Sequence, residues 1–346
     1  MKILCIGEEW RGSNASGLFY ALSRNGALVQ VVNEQKYVST AASGFKAKSA
    51  NKLIRPLQIA DYNQQLRLAF DAFKPALVLV YKGTFVDSSS VLYWKSKGIP
   101  VVNFFPDVSF LAHGGLIPAC IPHYDHIFTT KTFAAGDLKQ NFGYDTTQVT
   151  FIPHGFDLQV HRPVAVAANA GFQCEASFIG NYSRHKNTYL THLVNSLKPQ
   201  LKVWGASWER ASESLKPFIQ GTSVSGDLYA LAINASVINI ALLSEQVVGA
   251  SSGDQITSRT FHIPGAGGFM LHQRSDEVQH YFTEDEEMVC FGSEEELKDK
   301  VSYYLRHEQQ REQIRQRGHQ RAMKSHSLDQ RAIQLLEIIR KKFAIR

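Results

Sequence analysis

MKILCIGEEWRGSNASGLFYALSRNGALVQVVNE, residues 1–34, reads as a strand, a glycine-bearing loop, a helix and a second strand. KILCIG (2–7) is a short apolar run closed by glycine. In SGLFYALSRNG (16–26), Leu18, Phe19 and Leu22 recur at helical spacing, and Asn25-Gly26 ends the helix in the manner of a C-cap. ALVQVVNE (27–34) is again strand-like. A strand that returns through a helix predicts a parallel pair, and repetition of the unit predicts a doubly wound α/β sheet. The 7–17 loop is where a dinucleotide fingerprint would lie. Its glycines fall at 7, 12 and 17, not in G-x-G-x-x-G, so bound NAD is disfavoured. Gly12 and Ser13 fit two readings: a close approach to a sugar or phosphate at the helix start, or a plain turn that needs glycine.

The alternation continues outward. ALVLVYKG, VVNFFPD (ending at Asp107), YDHIFTT and TQVTFIPHG read as strands, with NQQLRLAFDAFKP and SSSVLYWKSKGIP as helices between them. Residues 156–173 are rich in Ala, Pro and Gly without a period and mark a domain junction. The pattern then restarts: EASFIGN, LKVWG, SVINIAL and GFMLHQ as strands, NTYLTHLVNSL, GDLYALAINA and SRTFHIPGA as helices. Ser293 to Glu296 spells a capping box, and 307–345 is helical with an expected break near Gly318. The expected architecture is two tandem doubly wound halves. Ligands in such sheets sit beyond the carboxyl ends of the strands, and two facing halves would form a cleft.

Composition narrows the class. At 346 residues the chain exceeds one ordinary core, and 44% apolar residues can fill two. No apolar run reaches the ~18 residues of a membrane span. The N-terminus, with Glu8 and Glu9 close behind the apolar run, reads as a first strand and not as a signal peptide. Cys5, Cys120, Cys174 and Cys290 are scattered, so neither a zinc knuckle nor a disulfide framework is expected; a reducing cytoplasm fits. The net charge of +6 is uneven. From 298 onward there are 13 Lys and Arg against 5 Asp and Glu, on an otherwise near-neutral body. That basic tail suits a solvated surface of amphipathic helices, or attraction to an anionic inner membrane face or lipid-linked substrate. It does not suit nucleic acid.

Several stretches can carry chemistry. SFIGNYSRHKN (177–187) puts Arg184 and Lys186 just past a strand, where two cations can face a diphosphate leaving group without a metal. GDQITSRTFHIPGAGGFM (253–270) opens a short helix that Thr257 or Ser258 can cap, with Arg259 in its first turn and His262 one turn on. Gly265, Gly267 and Gly268 then let the backbone turn close to a ligand. FIPHGFDLQVHRP (151–163) ends a strand with His154, Gly155 and Asp157 on a loop suited to lining a cleft. Asp107 ends its strand where it can contact or deprotonate an acceptor hydroxyl. The carboxylates between Glu284 and Glu296 do not alternate as a calcium loop requires and read as a solvated loop and helix start.

SFIGNYSRHK, DQITSRTFHIPGAGGFML, YFTEDEEMVCFGSEEELKDKVSYYLRH and FIPHGFDLQVHRP together resemble the CgeB-like glycosyltransferases, a branch of the GT-B superfamily akin to family-4-type retaining enzymes. The C-terminal half carries the motifs; the N-terminal half is similar in architecture and in FFPD. The resemblance implies a GT-B fold. Its parts would be an acceptor-binding Rossmann-like domain at 1–165, a nucleotide-sugar domain at 166–325, and a helix at 326–346 that returns to the first domain. It implies transfer of a hexose-like sugar from a nucleoside diphosphate, with retention and with neither metal nor cofactor. The acceptor is open: a glycan, a lipid-linked glycan or a small molecule. The implied catalytic residues are Asp107, Asp254 and Arg184. The implied donor contacts are Arg184, Lys186, Trp204, Gly205, Ser258, Arg259, His262, Gly265, Gly267 and Gly268. The implied acceptor or cleft residues are Gly12, Ser13, Asp107, His154, Gly155 and Asp157. The superfamily's E-x(7)-E pair falls here on Asp254 and His262, and a neutral imidazole offers one acceptor where a carboxylate offers two oxygens. This departure keeps open a non-catalytic nucleotide-sugar sensor or scaffold. A nucleotide-sugar epimerase or a phosphorylase on the same fold is the other alternative.

Overall fold

The structure, a computed structural model, describes residues 1–39, 45–167 and 171–345. Residues 168–170 of the expected junction and residue 346 of the tail lie outside the described residues. The chain divides into two units. Unit 1 comprises Met1–Pro153, Gln246–Ser252 and Arg331–Arg346; unit 2 comprises His154–Glu245 and Gly253–Gln330.

Unit 1 runs β1 (Lys2–Gly7), α1 (Asn14–Arg24), β2 (Leu28–Asn33), α2 (Phe45–Phe73), β3 (Leu77–Tyr81), α3 (Ser88–Ser96), β4 (Val101–Phe105), α4 (Leu116–Cys120), β5 (His126–Thr129), α5 (Ala134–Phe142) and β6 (Val149–Phe151). All six strands are parallel, in the order β2-β1-β3-β4-β5-β6. β3 and β4 are buried along their whole length, as the unbroken LVLVY and VVNFF runs require of a sheet covered on both faces. Helices α2, α3 and α4 supply Tyr62, Leu66, Trp94 and Ile117 to the core. The chain leaves β1 for β2 on one side and returns to β3 on the other, so the switch point lies between the ends of β1 and β3.

The insert Gln246–Ser252 is held within unit 1 by three contacts. Ser109 Oγ donates to the Val248 carbonyl at 2.6 Å, Asn141 donates to the Gly249 carbonyl at 3.0 Å, and the Asp137 carboxylate accepts from Ser251 N–H at 3.0 Å.

Unit 2 runs β7 (Cys174–Ile179), α6 (Arg184–Ser196), β8 (Leu201–Trp204), α7 (Asp227–Asn234), β9 (Ser236–Ala241), α8 (Arg259–Gly265), β10 (Met270–Gln273), β11 (Val289–Phe291), α9 (Glu294–Arg306) and α10 (Glu308–Ser325). Its five parallel strands are ordered β11-β10-β9-β7-β8, with the switch point between β7 and β9. A second core, around Phe178, Leu190, Ile240, Phe269 and Val301, fills it. α11 (Leu328–Phe343) begins among unit 2 residues and continues from Arg331 as part of unit 1.

Three expectations change here. The expected helix break near Gly318 is absent: α10 passes through it, and the breaks fall at His307 and His326. A side chain at 318 would meet the Glu287 carbonyl at 2.2 Å, so this glycine serves helix packing. The capping box is rearranged. Ser293 Oγ accepts from Glu296 N–H, but Glu296 accepts from the Gly292 amide at 2.7 Å and receives Arg274. Arg274 also pairs with Glu284 at 2.7 Å, so these acids of the 284–296 stretch are tied down by one guanidinium.

Candidate functional site

Unit 2 concentrates its polar groups beyond the carboxyl ends of β7, β9 and β10. After β7 the chain turns at Gly180 and Asn181, and Ser183 caps α6. Lys186, in the first turn of α6, is buried. Among the described residues its Nζ reaches neutral oxygens, the Asn181 carbonyl at 3.4 Å and Ser244 Oγ at 3.3 Å. Arg259, the first residue of α8, lies over the Phe178 ring at 5.3 Å and donates Nη2 to the Leu242 carbonyl at 2.7 Å. Its guanidinium therefore spans the ends of β7 and β9, and its Nε finds no partner among the described residues. A Cβ on Gly180 would meet Arg259 Nη1 and the Phe178 ring, each at 2.9 Å, so a side chain there would crowd the guanidinium and the ring beneath it.

Burial and the charge of Arg259 bring Lys186 down to about 8, against the opposing pull of Asp254 and Glu245. Arg259 is likewise lowered by burial, with Tyr229 and Asp254 opposing. The charge of Arg259 thus reaches Lys186, and neither cation has an ion pair within 4 Å to a carboxylate of the described residues. Beside them opens a polar cavity of about 380 Å³ lined by His185, Ser244, Glu245, Asp254, Gln273 and Arg274. His185 donates its backbone N–H to Glu245 at 2.7 Å, so a carboxylate already occupies the N-terminus of α6. Its ring meets Gln273 Oε1 at 3.0 Å.

Behind this group lies a cluster of buried rings. His262 stacks on His161 with centroids 3.8 Å apart, and Tyr229 meets both edge-on. Burial first, then neighbouring His161 and His154, hold His262 well below the usual histidine range, although it hydrogen-bonds to the Gly155 backbone. Its Nε2 and the Tyr229 hydroxyl are buried without a partner among the described residues. Burial holds His161 at about 3 while its Nδ1 accepts from Asp157 N–H at 3.0 Å. These rings stay neutral across physiological pH.

The residues singled out from sequence separate into groups. Lys186, Arg259 and Asp254 come together, and His262 sits beneath them. Arg184 does not join them: two positions earlier on the same helix it points to the exposed side. The residue that lines the cavity is its neighbour His185. Ser258 makes no side-chain cap to α8; instead Thr260 Oγ1 accepts from Thr257 N–H at 3.0 Å and meets His272 Nε2 at 2.8 Å.

The glycines serve the protein's own packing. A Cβ at Gly265 would lie 2.4 Å from the Phe156 ring, at Gly267 3.1 Å from Pro163, and at Gly268 2.5 Å from Ile233. Gly205 would meet the Gly180 carbonyl at 2.1 Å, and Trp204 is buried against Phe172. Gly155 passes 3.0–3.1 Å from the 326–328 backbone. His154, Gly155 and Asp157 belong to unit 2. Asp157 Oδ1 accepts from Gln159 N–H at 3.0 Å as a turn-former.

In unit 1, Ser13 is committed to capping α1, its Oγ accepting from Ser16 N–H at 3.0 Å, and Gly12 precedes it with φ +97°. Asp107 lies 2.8 Å from Lys82 Nζ and 2.9 Å from His113 Nε2. Burial opposes its ionisation, but His113 and Lys82 overcome that and hold it well below the usual carboxylate range. A carboxylate so strongly stabilised is a poor proton acceptor. Sequence reading passed over Glu8, Glu34, Lys82 and His113. The signal was available: the first three follow the carboxyl ends of β1, β2 and β3.

Residues 184–337 match the model of a family described as glycosyl transferase-like. No curated protein matches the chain in sequence. Among solved structures the chain is similar to sucrose-phosphate synthase from Thermosynechococcus elongatus, at 12% identity, with 99% of each chain covered and a TM-score of 0.68. It is also similar to HepE from Anabaena in complex with UDP-glucose, at 11% identity over 99% of this chain and 100% of that one, TM-score 0.63. UDP-GlcNAc 2-epimerase from Neisseria meningitidis, bound to UDP-GlcNAc, matches at 10% identity over 99% and 100%, TM-score 0.54. At such identities the likeness establishes the fold, two Rossmann-like domains of the GT-B type. Together with the family match it supports a glycosyltransferase on that fold.

Proposed function

We propose that the chain transfers a sugar from a nucleoside diphosphate bound at the β7–β9 switch point of unit 2. The observation that carries this is the pair Lys186 and Arg259: two buried cations that feel one another's charge and lack a carboxylate partner within 4 Å among the described residues. A diphosphate would supply that partner. As the bond from the anomeric carbon to the phosphate oxygen breaks and the bond to the acceptor oxygen forms, negative charge grows on the leaving diphosphate. Fixed cations stabilise that charge without reorganising. Asp254 sits close enough for its charge to favour the protonated form of both cations. The UDP and UDP-sugar ligands named for the fold's neighbours favour a uridine nucleotide. Retention, independence of a metal, the CgeB-like subfamily, a hexose donor and a cytoplasmic site on the inner membrane face belong to this reading.

Titration calorimetry with UDP tests it. Lys186→Met and Arg259→Ala should each weaken UDP by about tenfold to over a hundredfold, the loss of a charge-assisted contact. Unchanged affinity in both variants would remove the site. A second reading, binding without transfer, rests on His262. Its single unpartnered nitrogen can hold one hydroxyl where the family's carboxylate holds two. UDP binding with neither transfer nor hydrolysis of any UDP-sugar would favour it.

A further inference from the structure

Helix α2 is longer than the sheet it covers. Its 29 residues span about 43 Å, whereas strands of 5 or 6 residues reach about 20 Å. The later turns do the covering: Tyr62, Leu66 and Phe70 are buried there in the unit 1 core. Because α2 follows β2 and leads into the start of β3, its earlier turns run out past the carboxyl edge of the sheet. From Lys52 to Leu57 every residue except Arg55 is exposed.

This stretch has two unlike sides. Leu53 is 80% exposed, Leu57 one turn on is 73% exposed, and Ile54 beside them is 47% exposed. Leu53 stands about two and a half helical turns before Tyr62, so it faces away from the core. Lys52 and Arg55, one turn apart, fall on the side away from Leu57. The charge has a single sign: between Glu34 and Asp61 the chain holds Lys36, Lys46, Lys48, Lys52 and Arg55, and no Asp or Glu. Scattered exposed apolar residues need no explanation. A cluster of them on one side of a helix, with cations on the other, is the pattern of a helix that lies in a lipid interface.

We propose that the exposed half of α2 is the surface by which this chain sits on an anionic lipid bilayer. Leu53, Ile54 and Leu57 enter the boundary of the acyl chains, and Lys52 and Arg55 stay level with the lipid phosphates. The helix lies on the bilayer and does not cross it; among the described residues no helix is long and apolar enough to span one. Packing α2 on its counterpart in a second copy would set cations against cations, with no acid in the segment to pair them. The basic tail offers less: among the described residues α10 exposes Met323, and α11 Ile333, as their only large apolar side chains. The proposal rests on the membrane-face part of the reading above, with α2 and not the tail as the contact, and it is independent of the donor site.

Flotation of the full chain with vesicles tests this, using phosphatidylcholine alone or mixed with phosphatidylglycerol. The expected result is binding to the anionic vesicles only, falling as salt rises. Leu53→Ser combined with Leu57→Ser, and separately Lys52→Glu, should each weaken binding by about tenfold or more. Arg317→Glu combined with Lys324→Glu, in the tail, should leave it unchanged. All of these positions are exposed, so the variants keep the fold. Full binding by the leucine variant, a loss in the tail variant as large as in the α2 variants, equal binding to both lipids, or binding to neither would overturn the proposal. So would a dimer, seen by light scattering in place of flotation, that the leucine variant dissolves. UDP affinity, measured alongside by calorimetry, should be the same in every variant. Flotation by a chain that does not bind UDP would leave this surface standing and remove the donor reading.

Discussion

Lys186 and Glu34 are the two groups whose ionisation the surroundings change most usefully. With Lys186 near 8, UDP affinity should be full below pH 7 and should fall as pH rises through 8 and the ammonium is lost. Calorimetry from pH 6.5 to 9.5 checks this, and Lys186→Met should flatten the profile. His262 contributes nothing to that curve. Burial, with His161 and His154 beside it, holds it well below its ordinary value, so it stays neutral across that range.

Glu34 works on stability. Its folded pKa is about 7 against an ordinary 4.5, so between those values the native state binds more protons than the unfolded chain. Stability is therefore greatest below pH 4.5 as far as this group is concerned, and is lost as pH rises toward 7, by roughly 3 kcal/mol at most. Glu34→Gln should raise stability by about 1–3 kcal/mol at pH 8 and leave it nearly unchanged at pH 4.5, read by urea unfolding.

Among the elements, α11 carries more apolar residues than its buried face uses. Ile333, Leu336 and Ile339 suggest an apolar stripe, widened by Leu335 and Ile338. The buried face is Ala332, Leu335, Leu336 and Ile339, at i, i+3, i+4 and i+7, while Ile333 is 44% exposed. Leu335→Ala should cost about 2–5 kcal/mol in thermal or denaturant unfolding, and Ile333→Ala within about 0.5 kcal/mol. The short α8 is seated by what its glycine lacks: Gly265→Ala would drive a methyl into Phe156 and should cost about 1–3 kcal/mol.

At the level of the whole chain, two cores of ordinary size are built on two parallel sheets. UDP at 100 times its dissociation constant should stabilise the native state by about 2.7 kcal/mol, visible as a raised melting temperature; a tenfold to hundredfold loss of affinity in Arg259→Ala should cut this to about 0.4–1.4 kcal/mol at the same UDP concentration. No helix among the described residues is long and apolar enough to cross a membrane.

The alternation of apolar runs with amphipathic ones was enough to specify two doubly wound units, because strand and helix periods are local properties of the chain. The same local reading singled out Lys186, Asp254 and Arg259, because each comes after a strand of the second unit, and the structure brings the three together. It could not separate Arg184 from Lys186. Which cation turns inward depends on how α6 lies on the sheet. Nor could it tell a ligand-facing glycine from one whose space is taken by Phe156 or by the Gly180 carbonyl. Glu34 escaped for the same reason. A carboxylate after a strand is unremarkable in sequence, and only the packing of β2 beside β1, with Tyr62 and Glu8 brought in from distant positions, removes its water and raises its pKa. Burial and electrostatic environment are set by neighbours far apart along the chain, so they are decided only when the tertiary structure brings those neighbours together.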